Sequence, residues 1–366
     1  MSNKTCYFLG ETSRVYNNSG LDIRIRKGVW NFVEASIDLD GQSENTQTFF
    51  STFFETLRNH GEVEFEQLAS QCQLNEQESN DIKQVLDRLA VEQYLKTSSD
   101  KTLEIVNEIL GIIPLADTGD KKPTLGRGLF ISDSEYANNL ALTLAEEVGM
   151  SLDILEPDDV KAIGKLDLTS KTDAVDYKIN FNQVAEKFVN ADFIVGTFEK
   201  PNLRFLRNLN RVLIEHPRPI SLGLVDGPFS HAFTIDYPNT GCFECFENRI
   251  MARLEDLVSY DNFVKNEKID FRKLQQNKAP LFAPTVHILV STVISEAYLL
   301  ASTRLSKLSG RVLSVYWPII EIQVQDLYRI PYCPACGYLS TSIAEETYLA
   351  TKNIVNRVLE KVKVTG

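Results

Sequence analysis

The sequence predicts an α/β protein in two parts, a small α+β unit ahead of a largely parallel sheet covered by helices. Three observations predict it. From Gly126 onward, short apolar runs alternate with helical stretches, the pattern of strands joined by crossover helices. Residues 1–96 instead hold alternating strands and then three amphipathic helices. Two Cys-x-x-Cys pairs, Cys242/Cys245 and Cys333/Cys336, lie far apart in the second part. A chain of 366 residues is also long for one compact domain.

In the first part, Leu21 to Arg26 and Trp30 to Leu39 alternate apolar and polar side chains, as half-buried strands do. Gly28 and Asp40-Gly41 are turn signals. Thr46 to Arg58 sets Phe49, Phe50, Phe53, Phe54 and Leu57 on one helical face. A second helix starts near Phe65. A third runs from about Asn75 to Ala90 with Ile82, Val85, Leu86 and Leu89 in step. Tyr94-Leu95-Lys96 then reads as a wing strand, completing a winged-helix arrangement over residues 1–96. Residues 97–125 read as a connector with a short helix from Leu103 to Leu110. In the second part, residues 126–366, strands are expected at Leu129 to Ser132, Ser151 to Leu155, Ala191 to Thr197 and Ile220 to Val225. A helix is expected over Ser134 to Val148, and two strands within Arg311 to Val324.

A net charge of −12 argues against a nucleic-acid partner and suits a basic segment of another chain better. The apolar stretch Ala283 to Ala301 approaches the length of a membrane span. It contains Glu296, costly in lipid, so a buried core helix is expected and no membrane partner. Met1 to Gly10 shows no secretory pattern, which makes the cytoplasm the expected compartment.

Disulfides are disfavoured there, so the paired cysteines call for another explanation. Four thiolates from two Cys-x-x-Cys turns can hold one tetrahedral zinc ion, and Gly241 and Gly337 flank them as knuckle turns require. Four sulfurs leave no open position, so such a zinc is structural. Residues 246–332, 87 in all, separate the pairs, so the metal would tie two distant segments together. Ordinary buried cysteines and a redox pair are the alternatives.

Together these features resemble the E1-like (ThiF/MoeB-type) adenylating family. The carriers are Asn239-Thr240-Gly241-Cys242-Phe243-Glu244-Cys245, Leu281-Phe282-Ala283-Pro284 opening the long helix, Pro331-Tyr332-Cys333-Pro334-Ala335-Cys336-Gly337, and Ala191 to Leu209. The resemblance covers Gly126 to Tyr338. It implies a Rossmann-type sheet with helices on both faces, a structural zinc, ATP and magnesium as cofactors, and a symmetric homodimer. It places Glu199 and Arg204 as the acid–arginine pair of the catalytic site. Glu156 and Asp158 would meet the ribose, with Lys165 or Lys171 as the basic residue. Met251 to Lys278, with Arg253, Lys265, Lys268, Arg272, Lys273 and Lys278, would form a loop over the site. His231 would face the same pocket, or be structural.

The chain departs from the family after its first strand. Where a Gly-rich turn would let backbone N–H groups approach phosphate, it reads Ser132-Asp133-Ser134-Glu135. The acids would repel phosphate, and one of the first three would instead cap the helix.

A winged-helix module before an E1-like domain is similar to the leader-recognition element of enzymes that mature ribosomally made peptides. That implies a precursor peptide as partner. Its leader would add as a strand to Trp30–Leu39, which lacks a later strand partner except the wing, with Val29, Phe32, Val33, Leu86 and Leu89 near the groove. Two functions follow. One is an enzyme activating carboxylate side chains, glutamates foremost, with ATP for dehydrative cyclisation; the whole-chain resemblance tilts towards it. The other is a non-catalytic adaptor delivering the precursor to a separate cyclodehydratase, which the missing glycine turn favours.

Overall fold

The structure, a computed structural model, describes residues 5–97 except 11, 20, 31 and 32, residue 110, and residues 125–170, 174–266 and 280–337. The chain divides into two compact units, Met1–Ala116 and Asp117–Gly366.

The first unit has strands β1 (Cys6–Leu9), β2 (Ser13–Ser19), β3 (Asp22–Lys27) and β4 (Val33–Asp38), helix α1 (Glu44–His60), strand β5 (Glu62–Glu64), helices α2 (Phe65–Gln71) and α3 (Glu76–Val91), and strand β6 (Leu95–Lys96). The helices stand where periodicity places them. The Ser43 hydroxyl accepts from the Thr46 N–H at 3.2 Å, and Gly61 closes α1 in the left-handed region (φ 81°). Asn75 and Glu78 form a reciprocal capping box on α3. Phe49, Phe53 and Phe65 pack with Ile23, Ile25, Leu86 and Leu89 in one core. Strands β1, β2 and β5 escape the sequence reading. In β2 the apolar Val15 and Tyr16 are adjacent, so no alternation marks it; pairing with β3 holds it in place. The wing strand β6 pairs with β1, and not with the Trp30–Leu39 strand as expected. β4 lies at one end of the antiparallel sheet β2-β3-β4. The expected helix over 103–110 lies outside the described residues, apart from Leu110.

The second unit runs β7 (Arg127–Ser132), α4 (Glu135–Glu147), β8 (Ser151–Ile154), α5 (Pro157–Lys165), α6 (Ala174–Glu186), β9 (Phe193–Phe198), α7 (Leu203–Glu215), β10 (Ile220–Asp226), β11 (Phe229–Ile235), α8 (Phe243–Met251), α9 (Leu257–Asn266), α10 (Ala283–Thr303), β12 (Arg311–Tyr316) and β13 (Glu321–Asp326). They form one seven-stranded sheet, β13-β12-β11-β10-β9-β7-β8. Only β8, β7, β9 and β10 are parallel; β11, β12 and β13 run antiparallel, which corrects the expectation of a largely parallel sheet. The physical reason is loop length. Gly227-Pro228 joins β10 to β11, and two residues can close only an antiparallel pair.

Helices cover both faces. Leu129 and Ile131 of β7 pack towards α5, α6, α7 and α8, while Phe130 packs towards α4 and α10. Helix α10 is long and apolar enough to cross a membrane, but two-thirds of it is buried and it packs as a core helix on β9, β10 and β11. Its Glu296 carboxylate accepts from the Ser306 hydroxyl and, at 2.9 Å, from the Leu308 N–H, so the buried charge is hydrogen-bonded.

Candidate functional site

The four paired cysteines converge. Their sulfurs lie within 4.8 Å of one another, all buried. Cys242 and Cys245 are 3.9 Å apart, Cys242 and Cys333 3.6 Å, and Cys245 and Cys336 3.4 Å. A tetrahedral Zn–S₄ centre requires sulfurs about 3.8 Å apart, given bonds of about 2.3 Å. The donor set therefore fits a structural zinc. Both flanking glycines are sterically required. A Cβ on Gly337 would stand 2.5 Å from the Cys333 carbonyl, and one on Gly241 would stand 2.9 Å from that of Leu327. Helix α7 builds the support. Asn210 accepts from the Phe243 N–H at 3.0 Å and points its amide at the Cys242 sulfur, 3.6 Å away. Arg211 clamps buried Glu244 through two bonds of 2.7 and 2.8 Å and also donates to the Pro334 carbonyl. Sequence reading missed these partners. The signal available was two asparagines, Asn208 and Asn210, on the apolar face of an amphipathic helix.

The parallel strands end at a topological switch point. From β7 the chain crosses to β8 on one side, then back past β7 to β9 on the other. In open α/β sheets the crevice between such strands holds the ligand. Here Asp133 bridges it. Its carboxylate accepts from the Glu199 N–H at 2.9 Å and the Lys200 N–H at 2.7 Å. Asp133 is 6% exposed, and burial pushes its carboxyl above the ordinary value despite those two donors. Helix capping is thus not its role. Ser134 is the N-cap and makes no side-chain cap bond, while the Ser132 hydroxyl donates to the Thr197 carbonyl at 2.6 Å. The turn after β7 thus carries a buried acid where a Gly-rich turn would offer backbone N–H groups, and that acid is tied to the backbone after β9, so the residues present are a poor match for a phosphate group.

Beside it lies a cavity of about 540 Å³, walled by the ends of β9 and β10 with α8 and α9. Glu199, buried, lines it and accepts from the Leu281 N–H at 2.5 Å. Arg204, half-buried, donates to the Lys265 carbonyl instead of meeting Glu199. Glu156 is exposed at the start of α5, and Asp158, also exposed, pairs with Lys161 at 2.9 Å. Lys171 lies outside the described residues, as do Lys268, Arg272, Lys273 and Lys278 of the expected basic loop. Lys165 and Arg253 are exposed; Lys265 pairs with Asp261 at 2.5 Å. His231 does line the cavity, with Nδ1 2.9 Å from the Ser314 hydroxyl.

In the first unit, Val29 and Val33 are exposed, Val33 at 66%. Trp30 beside them is 91% exposed. Leu86 and Leu89 are sealed in the core at 0% and 5%, whereas Val85, one position away, is 39% exposed. Phe32 lies outside the described residues.

No protein-family model matches the chain, and no curated protein sequence does. The fold is similar to that of a heterocyclase in complex with substrate and cofactor, with a TM-score of 0.58 at 14% identity, over 93% of this chain and 40% of the heterocyclase. It is also similar to the heterocyclase TruD, with a TM-score of 0.56 at 16% identity, over 91% of this chain and 43% of TruD. E. coli MccB in its ATP complex is more distant, with a TM-score of 0.45 at 10% identity over 91% of this chain. The chain spans less than half the length of the two heterocyclases. At these identities the likeness is one of fold.

Proposed function

We propose that the chain is a peptide-capturing scaffold of heterocyclase type. Its first unit, read as a winged-helix module, takes the leader of a ribosomal precursor as an added strand on the outer edge of β4. Val29 and Val33, both exposed, would meet the leader, while Leu86 and Leu89 belong to the unit's own core. Its second unit, E1-like, presents the rest of the peptide to heterocyclisation chemistry carried by a further catalytic body. That body corresponds to the greater part of each heterocyclase that this chain does not match. The observation carrying this reading is the Asp133 carboxylate on the two N–H groups of the switch-point crevice. The cysteine cluster as a structural zinc, a reducing cytoplasmic setting and a symmetric homodimer complete it.

A second reading, an enzyme that activates glutamate carboxylates itself, is favoured by polar groups around Glu199. Thr197 Oγ1 and Asn202 Nδ2, two and three residues away in the chain, are buried without a hydrogen-bond partner. Incubating full-length protein with a precursor peptide, ATP and magnesium separates the two. The scaffold reading expects the peptide to bind and keep its mass. Loss of mass in units of water without any second protein would overturn it in favour of the enzyme.

A further inference from the structure

We infer that the cavity of the second unit is a pocket for an aromatic or large aliphatic group that carries no negative charge, the chemistry of an apolar peptide side chain. Its size, about 540 Å³, falls within the range of small-ligand sites, about 300–1,000 Å³. Its floor is aromatic. Phe243 and Phe246 are 2% and 7% exposed, and Phe246 packs on Phe233 with ring centroids 4.5 Å apart. Ile250 and Leu224 line it too, while Phe263 and Leu281 stand at 54% and 59% exposure. Phe263 and Leu281 gain burial if a ligand settles against them.

The charges around it select against anions. Glu199, Asp226 and Glu247 line the cavity. Arg207 beside it is spent on Glu247, gripped at 2.8 Å and shared with the Tyr260 hydroxyl at 2.6 Å. His231 is held neutral by burial, which lowers its pKa from 6.5. A triphosphate would meet, among the described lining residues, three carboxylates and one lysine, Lys200. An apolar side chain displaces water and leaves every existing ion pair intact. That a peptide carries the group rests on the reading above; the chemistry of the pocket does not.

The test uses full-length, zinc-loaded protein and four probes observed by ligand NMR: N-acetylphenylalaninamide, phenylalaninamide, phenylacetate and ATP. The neutral and cationic amides should bind, phenylacetate at least about tenfold more weakly, and ATP not at all. Ile250→Trp, which fills the cavity, should weaken the amides by about tenfold or more with the circular dichroism spectrum unchanged. Phe263→Ala, at the exposed rim, should weaken them less and leaves the core untouched. Tighter binding of phenylacetate or ATP, no binding of either amide, or equal affinity in both variants would each overturn the assignment. Amide binding by the pocket together with absent precursor binding would instead remove the peptide as carrier and leave the pocket standing.

Discussion

The cysteine cluster and the switch-point crevice sit in the same unit, and the E1-like resemblance bears on both. One keeps every group its chemistry needs. The other lacks the Gly-rich turn that the resemblance implies and holds a buried acid in its place. At the cluster, four sulfurs converge on a tetrahedral spacing, two glycines make the turns, and α7 supplies the outer support. At the crevice, Asp133 stands in the turn after β7 where the resemblance implies glycine, and its carboxylate accepts from the Glu199 and Lys200 N–H groups after β9. A metal site depends on which side chains are present. A phosphate site depends on side chains being absent, so a single acid reverses it. The first region is a converged donor set, and the second is a structural brace between the turn after β7 and the chain after β9.

The comparison breaks most visibly through the metal. Cys333→Ser should cost most of the stability of the second unit, because a structural zinc contributes on the order of 10 kcal/mol to folding. Elemental analysis should give about one zinc per chain in the parent protein. A metal-free, soluble and cooperatively folding variant would contradict this. Helix α8 carries both Cys245 and the cavity walls Phe243, Phe246 and Ile250. Chelation should therefore also abolish binding of N-acetylphenylalaninamide.

The brace comes next. Asp133→Ala leaves the Glu199 N–H buried without an acceptor and should destabilise the protein by about 1–3 kcal/mol in urea denaturation. Asp133→Asn removes the charge and, because Oδ1 and Oδ2 each accept one N–H, also one of the two hydrogen bonds, a loss that does not vary with pH. Burial raises the Asp133 pKa in the fold above 3.8, so its contribution to stability is fully present below that pH and declines as pH rises through the folded value. The asparagine variant cannot ionise and should lose that decline, so the stability gap between parent and variant should change with pH across the acid range. A gap independent of pH would show that the carboxyl ionises freely.

A smaller effect belongs to the first unit. Glu34 is held below its ordinary 4.5, first by the Tyr16 hydroxyl at 2.7 Å and then by Arg26 and Arg24, each at 2.9 Å. A depressed folded pKa gives stability present above pH 4.5 and lost as pH falls through the folded value. Carboxyl NMR should place the Glu34 midpoint below 4.5, and Glu34→Gln should remove that contribution. An unshifted midpoint would mean that this half-buried network is solvent-screened.

The helices were legible because Phe49, Phe53 and Leu57, or Ile82, Leu86 and Leu89, recur at helical spacing. The cysteine cluster was legible because its spacing is chemically narrow. Strand β2 was not, since pairing with β3 and not its own pattern fixes it. Nor was the fate of Leu86 and Leu89, because helical periodicity marks an apolar face without saying whether a core or a groove will cover it. Asp133 was legible as an obstacle to phosphate, but its partners lie 66 and 67 residues away and only the fold brings them together. The disengagement of Arg204 from Glu199 is likewise tertiary, set by the Lys265 carbonyl at the end of α9.

The most direct test of the central claim is a calorimetric titration of full-length, zinc-loaded protein with magnesium ATP up to about 1 mM. The account predicts no saturable heat, because the turn after β7 carries buried Asp133 in place of a Gly-rich phosphate turn and that acid would repel phosphate. A one-to-one isotherm with micromolar affinity in the unmodified protein would contradict it.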